Sequence, residues 1–165
     1  MLRKYGSKDQ YDWLKTLSNN FHCVKGDYDF DDSLPEKKCV QIGEFKIGMI
    51  HGHQVFPTGD IDSLGSVQRE LGCNILAYGY SHELSIKAKD NALYLNPGSI
   101  SGAFSPSIRD STPSFIIIAL QGDIAILYVY ILKDETQKFE VKKYEYTIQD
   151  NEYKEIDNDD DEENN

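Results

Sequence analysis

Four residues of this 165-residue chain carry side chains suited to metal chemistry, and each stands where an apolar run stops. Asp27 follows Gly26 after the run FHCV, and His51 and His53 flank Gly52 after FKIGMI. His82 closes the G-x-S-H run Gly79-Tyr80-Ser81-His82 after NILAY. Carboxylate and imidazole donors together suit Zn, Mn or Fe, and two adjacent ions of that kind can activate a water for phosphoester hydrolysis. In open α/β sheets the site lies beyond the carboxyl ends of the strands, where a glycine lets the backbone turn sharply. Asn96-Pro97-Gly98-Ser99 follows another apolar stretch. It either points backbone N–H groups at the same pocket or is an ordinary turn. The four side chains also have a plainer reading as polar residues scattered at strand ends. Three such endings in one chain favour a metal site, or a former one.

The elements that must position them follow from periodicity. Residues 45–50 are apolar with little alternation, as in a strand covered on both faces. With residues 38–42 and the Gly43-Glu44 turn they predict a hairpin. Residues 7–18 predict a helix with a capping box at Ser7 and Gln10, and Trp13, Leu14 and Leu17 read as core. Residues 61–71 predict a second helix, with Ile61, Leu64, Val67 and Leu71 on one face and Gly72 as its stop. Strands are expected at 21–24 and 74–78, a hairpin at 84–88 and 92–95, and a meander at 114–120, 124–132 and 138–146. β/α alternation first and an antiparallel meander last describe a mixed α/β layered domain.

The net charge of −11 is concentrated at one end. Residues 147–165 hold nine acidic residues against one lysine, net −8, which leaves the rest at −3. Nucleic-acid binding by bulk charge is therefore not expected. Residues 150–165 read as a disordered acidic tail, which also lowers the mean hydropathy to −0.54. No apolar run approaches the roughly 18 residues of a membrane span. Cys23, Cys39 and Cys73 form no C-x-x-C pair, and an odd count without a secretory signal fits a reducing cytosol.

HGHQ, the G-x-S-H loop and YLNPGSISGAF resemble the metallophosphoesterase superfamily. VKGDYD, FKIGMIHGHQVFPTGD, LYLNPGSISGAFSP, PSFIIIALQG and YVYIL resemble, more closely, its retromer-subunit family. The likeness runs from about Ser7 to Tyr146 and is specific as a series. It implies a four-layer αββα metallophosphoesterase-like sandwich over residues 1–146, followed by the acidic tail at 147–165. It implies metal positions at Asp27, His51 and His82, with His53 at the neighbouring second-histidine place. The departures matter as much. The family's opening strand with G-D-x-H, and the G-N or G-D loop after it, have no counterpart here. Tyr80 stands where the family's G-H-T-H loop has a ligand histidine, and a phenol with a pKa of about 10 is a poor substitute for neutral imidazole. No cofactor is then required, although one weakly held divalent ion, Zn or Mn, remains compatible.

The resemblance thus implies a non-enzyme: a cytoplasmic scaffold subunit, peripheral on endosomal membranes only through its complex, serving endosome-to-Golgi transport. Its partner would be the helical-solenoid subunit, vacuolar sorting protein 35, gripped through Val55, Phe56 and Pro57. Regulators such as Rab GTPase-activating proteins would dock at Ile117, Tyr128, Tyr130 and Val141. A metal-dependent phosphoesterase seen through an incomplete sequence is the competing expectation. Loss of a central strand also predicts an open apolar edge, at residues 21–24 or on a neighbouring strand, and a chain prone to associate.

Overall fold

The computed structural model describes residues 8–29, 33–105, 111–133, 136–149 and 153–156. Strand β1 (Lys37–Ile42) turns at Gly43 into β2 (Phe45–Ile50), with Cys39 opposite Gly48 in the antiparallel register. Helix α2 (Ile61–Leu71) leads into β3 (Ile75–Ala77), and β4 (Leu84–Lys89) and β5 (Ala92–Pro97) form the next hairpin. The strand order is β1-β2-β3-β5-β4, with β2, β3 and β5 parallel at the centre and the hairpin partners at the edges. A second, antiparallel sheet stacks β6 (Ser114–Gln121), β7 (Ile124–Lys133), β8 (Lys138–Thr147) and β9 (Tyr153–Ile156) in chain order.

The central strands are apolar on both faces because both faces are covered. Phe45, Ile75, Leu93 and Leu95 meet Ala125, Leu127 and Tyr146 of the second sheet. Ile50, Leu76, Tyr78 and Tyr94 turn the other way, onto Leu64, Ile61, Val67 and Leu71 of α2. Each large side chain buried this way is worth about 1.5–3 kcal/mol. Helix α2 has the predicted limits. Asp60 caps its start by accepting a hydrogen bond from Ser63 N at 2.8 Å, and Gly72 ends it at φ 58°. No described helix is long and apolar enough to cross a membrane.

Three expectations change. Residues 21–24 are not a strand: Cys23 and Val24 are buried, but no described strand pairs with them. Burial needs only an apolar neighbour, whereas a strand needs a ladder. The first helix, α1 (Lys8–Thr16), exists, yet Trp13 and Leu17 are exposed rather than core. Finally, β9 lies inside the stretch read as a disordered tail. It is held by pairing of Tyr153 with Tyr146, an edge-on contact of Tyr153 with Tyr144, and a Lys142–Glu155 ion pair at 3.8 Å. Composition alone underweights such short-range pairs.

Candidate functional site

The end of β2 and the loop after β3 are built against each other. Gly52 sits at φ 107°, and a Cβ there would fall 2.6 Å from the Gly79 carbonyl oxygen. Gly79 N donates to His51 O at 3.0 Å. The backbone of this corner therefore requires glycine on steric as well as torsional grounds. His51 is buried, and its Nδ1 lies 3.0 Å from His53 Nδ1 and 3.9 Å from Asp27 Oδ1. Tyr80 presents its ring edge-on to both imidazoles, with centroids 5.7 and 6.4 Å away.

The loop that carries Tyr80 and His82 is held in an unusual shape. Both residues are left-handed, at φ 73° and 63°, a conformation that costs a non-glycine residue roughly 1–2 kcal/mol. Fully buried Asn96, at the end of β5, braces it: Nδ2 donates to Ser81 Oγ at 2.9 Å, and Oδ1 accepts from Gly98 N at 3.0 Å. The Asn96-Pro97-Gly98-Ser99 stretch is thus a side-chain-capped turn whose asparagine positions the site loop. His82 Nδ1 lies 2.8 Å from the Ala103 carbonyl, which can only accept, so Nδ1–H is the donor. A carbonyl partner of this kind is how proteins orient a ligand imidazole.

Burial is the main influence on His51 and lowers its pKa. Asp27 opposes that shift, His53 adds to it, Asp29 opposes it, and His82 adds to it. Burial therefore favours the neutral ring, the form in which imidazole binds metal. Adjacent ligands of a tetrahedral zinc, with arms of about 2.0–2.1 Å, stand roughly 3.3 Å apart. The separations around His51, 3.0 and 3.9 Å, bracket that value. Even so, among the described residues no three His, Cys, Asp or Glu side chains form a ready metal cage. The donor types, carboxylate and imidazole, are ones that suit a divalent ion.

Two other groups border this corner, Gln54 from the HGHQ motif and Glu36, which no motif singled out. Glu36 Oε2 lies 3.9 Å from His53 Nε2, and Gln54 Oε1 accepts from Gly52 N at 3.0 Å while its Nε2 reaches Glu36. The β1–β2 register supplies the signal for Glu36. Lys37 opposite Ile50 places residue 36 beside residue 51.

The expected anchor needs one correction. Phe56 and Pro57 are exposed, Phe56 at 88%, but Val55 is buried at 5% and belongs to the core with Ile50 and Leu64. Chain direction reverses there, with Val55 N bonded to Gly52 O, so Val55 points inward as Phe56 points out. On the second sheet, Ile117 opposes Tyr128, and Tyr130 lies between Phe115 and Val141. Ile117, Tyr128, Tyr130 and Val141 therefore share one face, opposite to buried Leu127 and Val129. Two aromatic neighbours went unnoticed in the sequence: Phe115 stacks on Tyr130 at 4.7 Å, and Phe139 meets both edge-on.

The Calcineurin-like phosphoesterase superfamily domain matches residues 5–123. Vacuolar protein sorting-associated protein 29 of Schizosaccharomyces pombe is 33% identical over 142 residues, covering 84% of this chain and 76% of the yeast protein. The solved vacuolar protein sorting 29 of Cryptosporidium parvum is 42% identical, with a TM-score of 0.79 over 86% of this chain and 77% of that one. The wild-type Entamoeba histolytica protein complexed with Zn2+ is 40% identical, with a TM-score of 0.75 over 86% of this chain and 76% of that one. Its fold, its motifs and these likenesses agree: the chain belongs to the calcineurin-like phosphoesterase superfamily and, within it, to the family of vacuolar protein sorting-associated protein 29.

Proposed function

We propose that the chain is a non-catalytic scaffold subunit of retromer that binds the helical-solenoid subunit, vacuolar sorting protein 35, through the face around His51 and Phe56. One observation carries this reading. Tyr80 stands beside His51 and His53 where a further imidazole would be needed, while Phe56, next to that corner, is 88% exposed. A site short of ligands and bordered by an exposed aromatic suits recognition better than turnover. The subunit would act from the cytoplasm, reaching endosomal membranes through its complex for transport toward the Golgi. The aromatic face of the second sheet, with Ile117, Tyr128, Tyr130 and Val141, would receive Rab GTPase-activating or similar regulators.

A divalent ion would be held by Asp27, His51 and His82, with His53 in reach, and would supply a cross-link between strand ends. Burial favours the neutral form of His51, Asp27 lies beside it, and the Ala103 carbonyl orients the His82 ring through Nδ1. Purified protein is expected to show no turnover of phosphomonoesters or diesters with Mn or Zn added. Saturable, metal-dependent hydrolysis that His51→Ala abolishes would instead establish the phosphoesterase reading.

Zinc titration should show one weak site, weakened at least about tenfold in His51→Ala and tightened by Tyr80→His. The pH dependence has a fixed sign. Because the folded-state pKa of His51 is lowered, the unfolded chain binds its proton first. Its stability contribution is complete above the usual value of about 6.5. It is lost as pH falls below that toward the lowered folded value. Melting temperature should therefore drop on acidification through this window, less so in His51→Ala. An identical slope in the variant would show that His51 is not the titrating group.

A further inference from the structure

Strand β9 occupies less of its neighbour than the neighbour offers. β8 runs from Lys138 to Thr147, yet β9 pairs with it only from Tyr146, opposite Tyr153, to Lys143, opposite Ile156. Among the described residues no strand lies beside Lys138 to Lys142 on that side. Composition accounts for the early stop. Asp157-Asn158-Asp159 follows β9, residue types depleted from strands, and the same register would set Asp159 against Glu140. The four residues of β9 do match what they cover. On the inward face Tyr153 meets Tyr144 edge-on, and Glu155 lies 3.8 Å from Lys142. Tyr153 and Tyr144 also wall a pocket of about 210 Å³ together with Leu84, Ile86 and Val129, between the two sheets. On the outward face Lys154 stands opposite Glu145. Three of the four residues are exposed, so few contacts hold the strand in place.

We propose that β9 is a short internal stand-in, and that the outer edge of β8 is a docking site for an extended segment of another polypeptide. The stand-in itself specifies the chemistry of that segment. Its first four residues keep the aromatic, basic, acidic, aliphatic order of β9 and so inherit the Tyr144, Glu145 and Lys142 contacts. The next four are strand formers in place of the aspartates. An acid then faces Lys142, an aliphatic side chain Val141, a base Glu140, and a second aliphatic side chain Phe139. Such a segment roughly doubles the ladder and displaces β9. Main-chain hydrogen bonds supply the affinity, and alternate side chains the selectivity. A helix or a small molecule cannot use the ladder groups of β8. A second copy gains nothing by exchanging tails, since its β9 offers the same four residues and the same Asp159.

The test uses the full chain and a fluorescein-labelled, amidated peptide, YKEIEVKV, read by anisotropy. Saturable binding is expected, at least about tenfold stronger than for YKEI alone, because the longer peptide adds hydrogen bonds along Lys138 to Lys142. The full chain carrying Lys154→Pro with Glu155→Pro should bind the peptide at least about tenfold more tightly, because losing the internal competitor raises apparent affinity. Adjacent prolines cannot both avoid the ladder. Lys142→Glu should weaken binding, and a peptide with both glutamates replaced by lysine should restore it. That pair keeps the experiment decisive should the proline variant misfold. The proposal is overturned by absence of saturable binding, or by equal affinity for the full chain and a folded proline variant. It is equally overturned by binding indifferent to N-methylation of alternate peptide amides or to Lys142→Glu, or by a tail-exchanged dimer in sedimentation that excludes the peptide.

Discussion

Phe56→Asp is expected to abolish capture of the solenoid subunit while shifting the stability of the chain itself by no more than about 0.5 kcal/mol. The two halves of that result have separate causes. Phe56 is 88% exposed, so an aspartate there keeps its water in the free protein. In a complex that covers the residue, the carboxylate must be desolvated and an aromatic anchor is lost as well. Truncating an anchor of this kind costs about 2–4 kcal/mol, roughly 30- to 1000-fold in affinity, and a buried unpaired charge adds to it. Pull-down and calorimetry against the purified solenoid subunit provide the measurement, with circular dichroism as the fold control. Wild-type affinity in a folded Phe56→Asp chain would remove this face from the interface.

Gly52→Ala is expected to be the most damaging single methyl in the molecule's functional corner. It meets two penalties together. A φ of 107° is strained for any residue with a Cβ, and that Cβ would stand 2.6 Å from a backbone oxygen that cannot rotate away. Together these should cost about 2–4 kcal/mol and lower the melting temperature by roughly 5–15 °C. Gly43→Ala supplies the internal comparison. Its φ is 57° and nothing lies within 4 Å of the added methyl, so only the left-handed penalty of about 1–2 kcal/mol applies. Equal losses in the two variants would mean that the contact between Gly52 and Gly79 relaxes freely. Because that contact joins the strand end bearing His51 to the loop bearing His82, zinc affinity should fall with stability in Gly52→Ala and not in Gly43→Ala.

Much of this architecture was legible because local signals and global packing agree. The α2 helix announces itself through an apolar stripe, an aspartate before it and a glycine after it, and all three act as caps or core. Hairpin turns at Gly43-Glu44 and Asp90-Asn91 were readable for the same reason, since their residues tolerate positive φ. The strand at 21–24 was misread because apolar content reports burial and says nothing about whether a neighbour offers a ladder. Trp13 illustrates the converse, a residue whose type suggests core on a helix face that the described residues leave open. At the site, the histidines and Asp27 could be named because each follows an apolar run, although the run before Asp27 is not a strand. Glu36 and Asn96 could not be given their roles, because these depend on register and on a loop 15 residues away in sequence. Parity along the turn after β2 decides between Val55 and Phe56, and motif likeness does not contain it.

The brace supplied by Asn96 has an evolutionary consequence. The left-handed loop through Tyr80 and His82 is held by Asn96 against Ser81 and Gly79. Its shape is thus supported by a buried amide within the protein itself. A donor in such a loop can be exchanged without the surface collapsing, and a phenol or an imidazole at position 80 would be carried by the same backbone. The outline of this face is thereby uncoupled from the identity of any one donor in the loop, so a recognition surface and a metal site here would tolerate substitution independently.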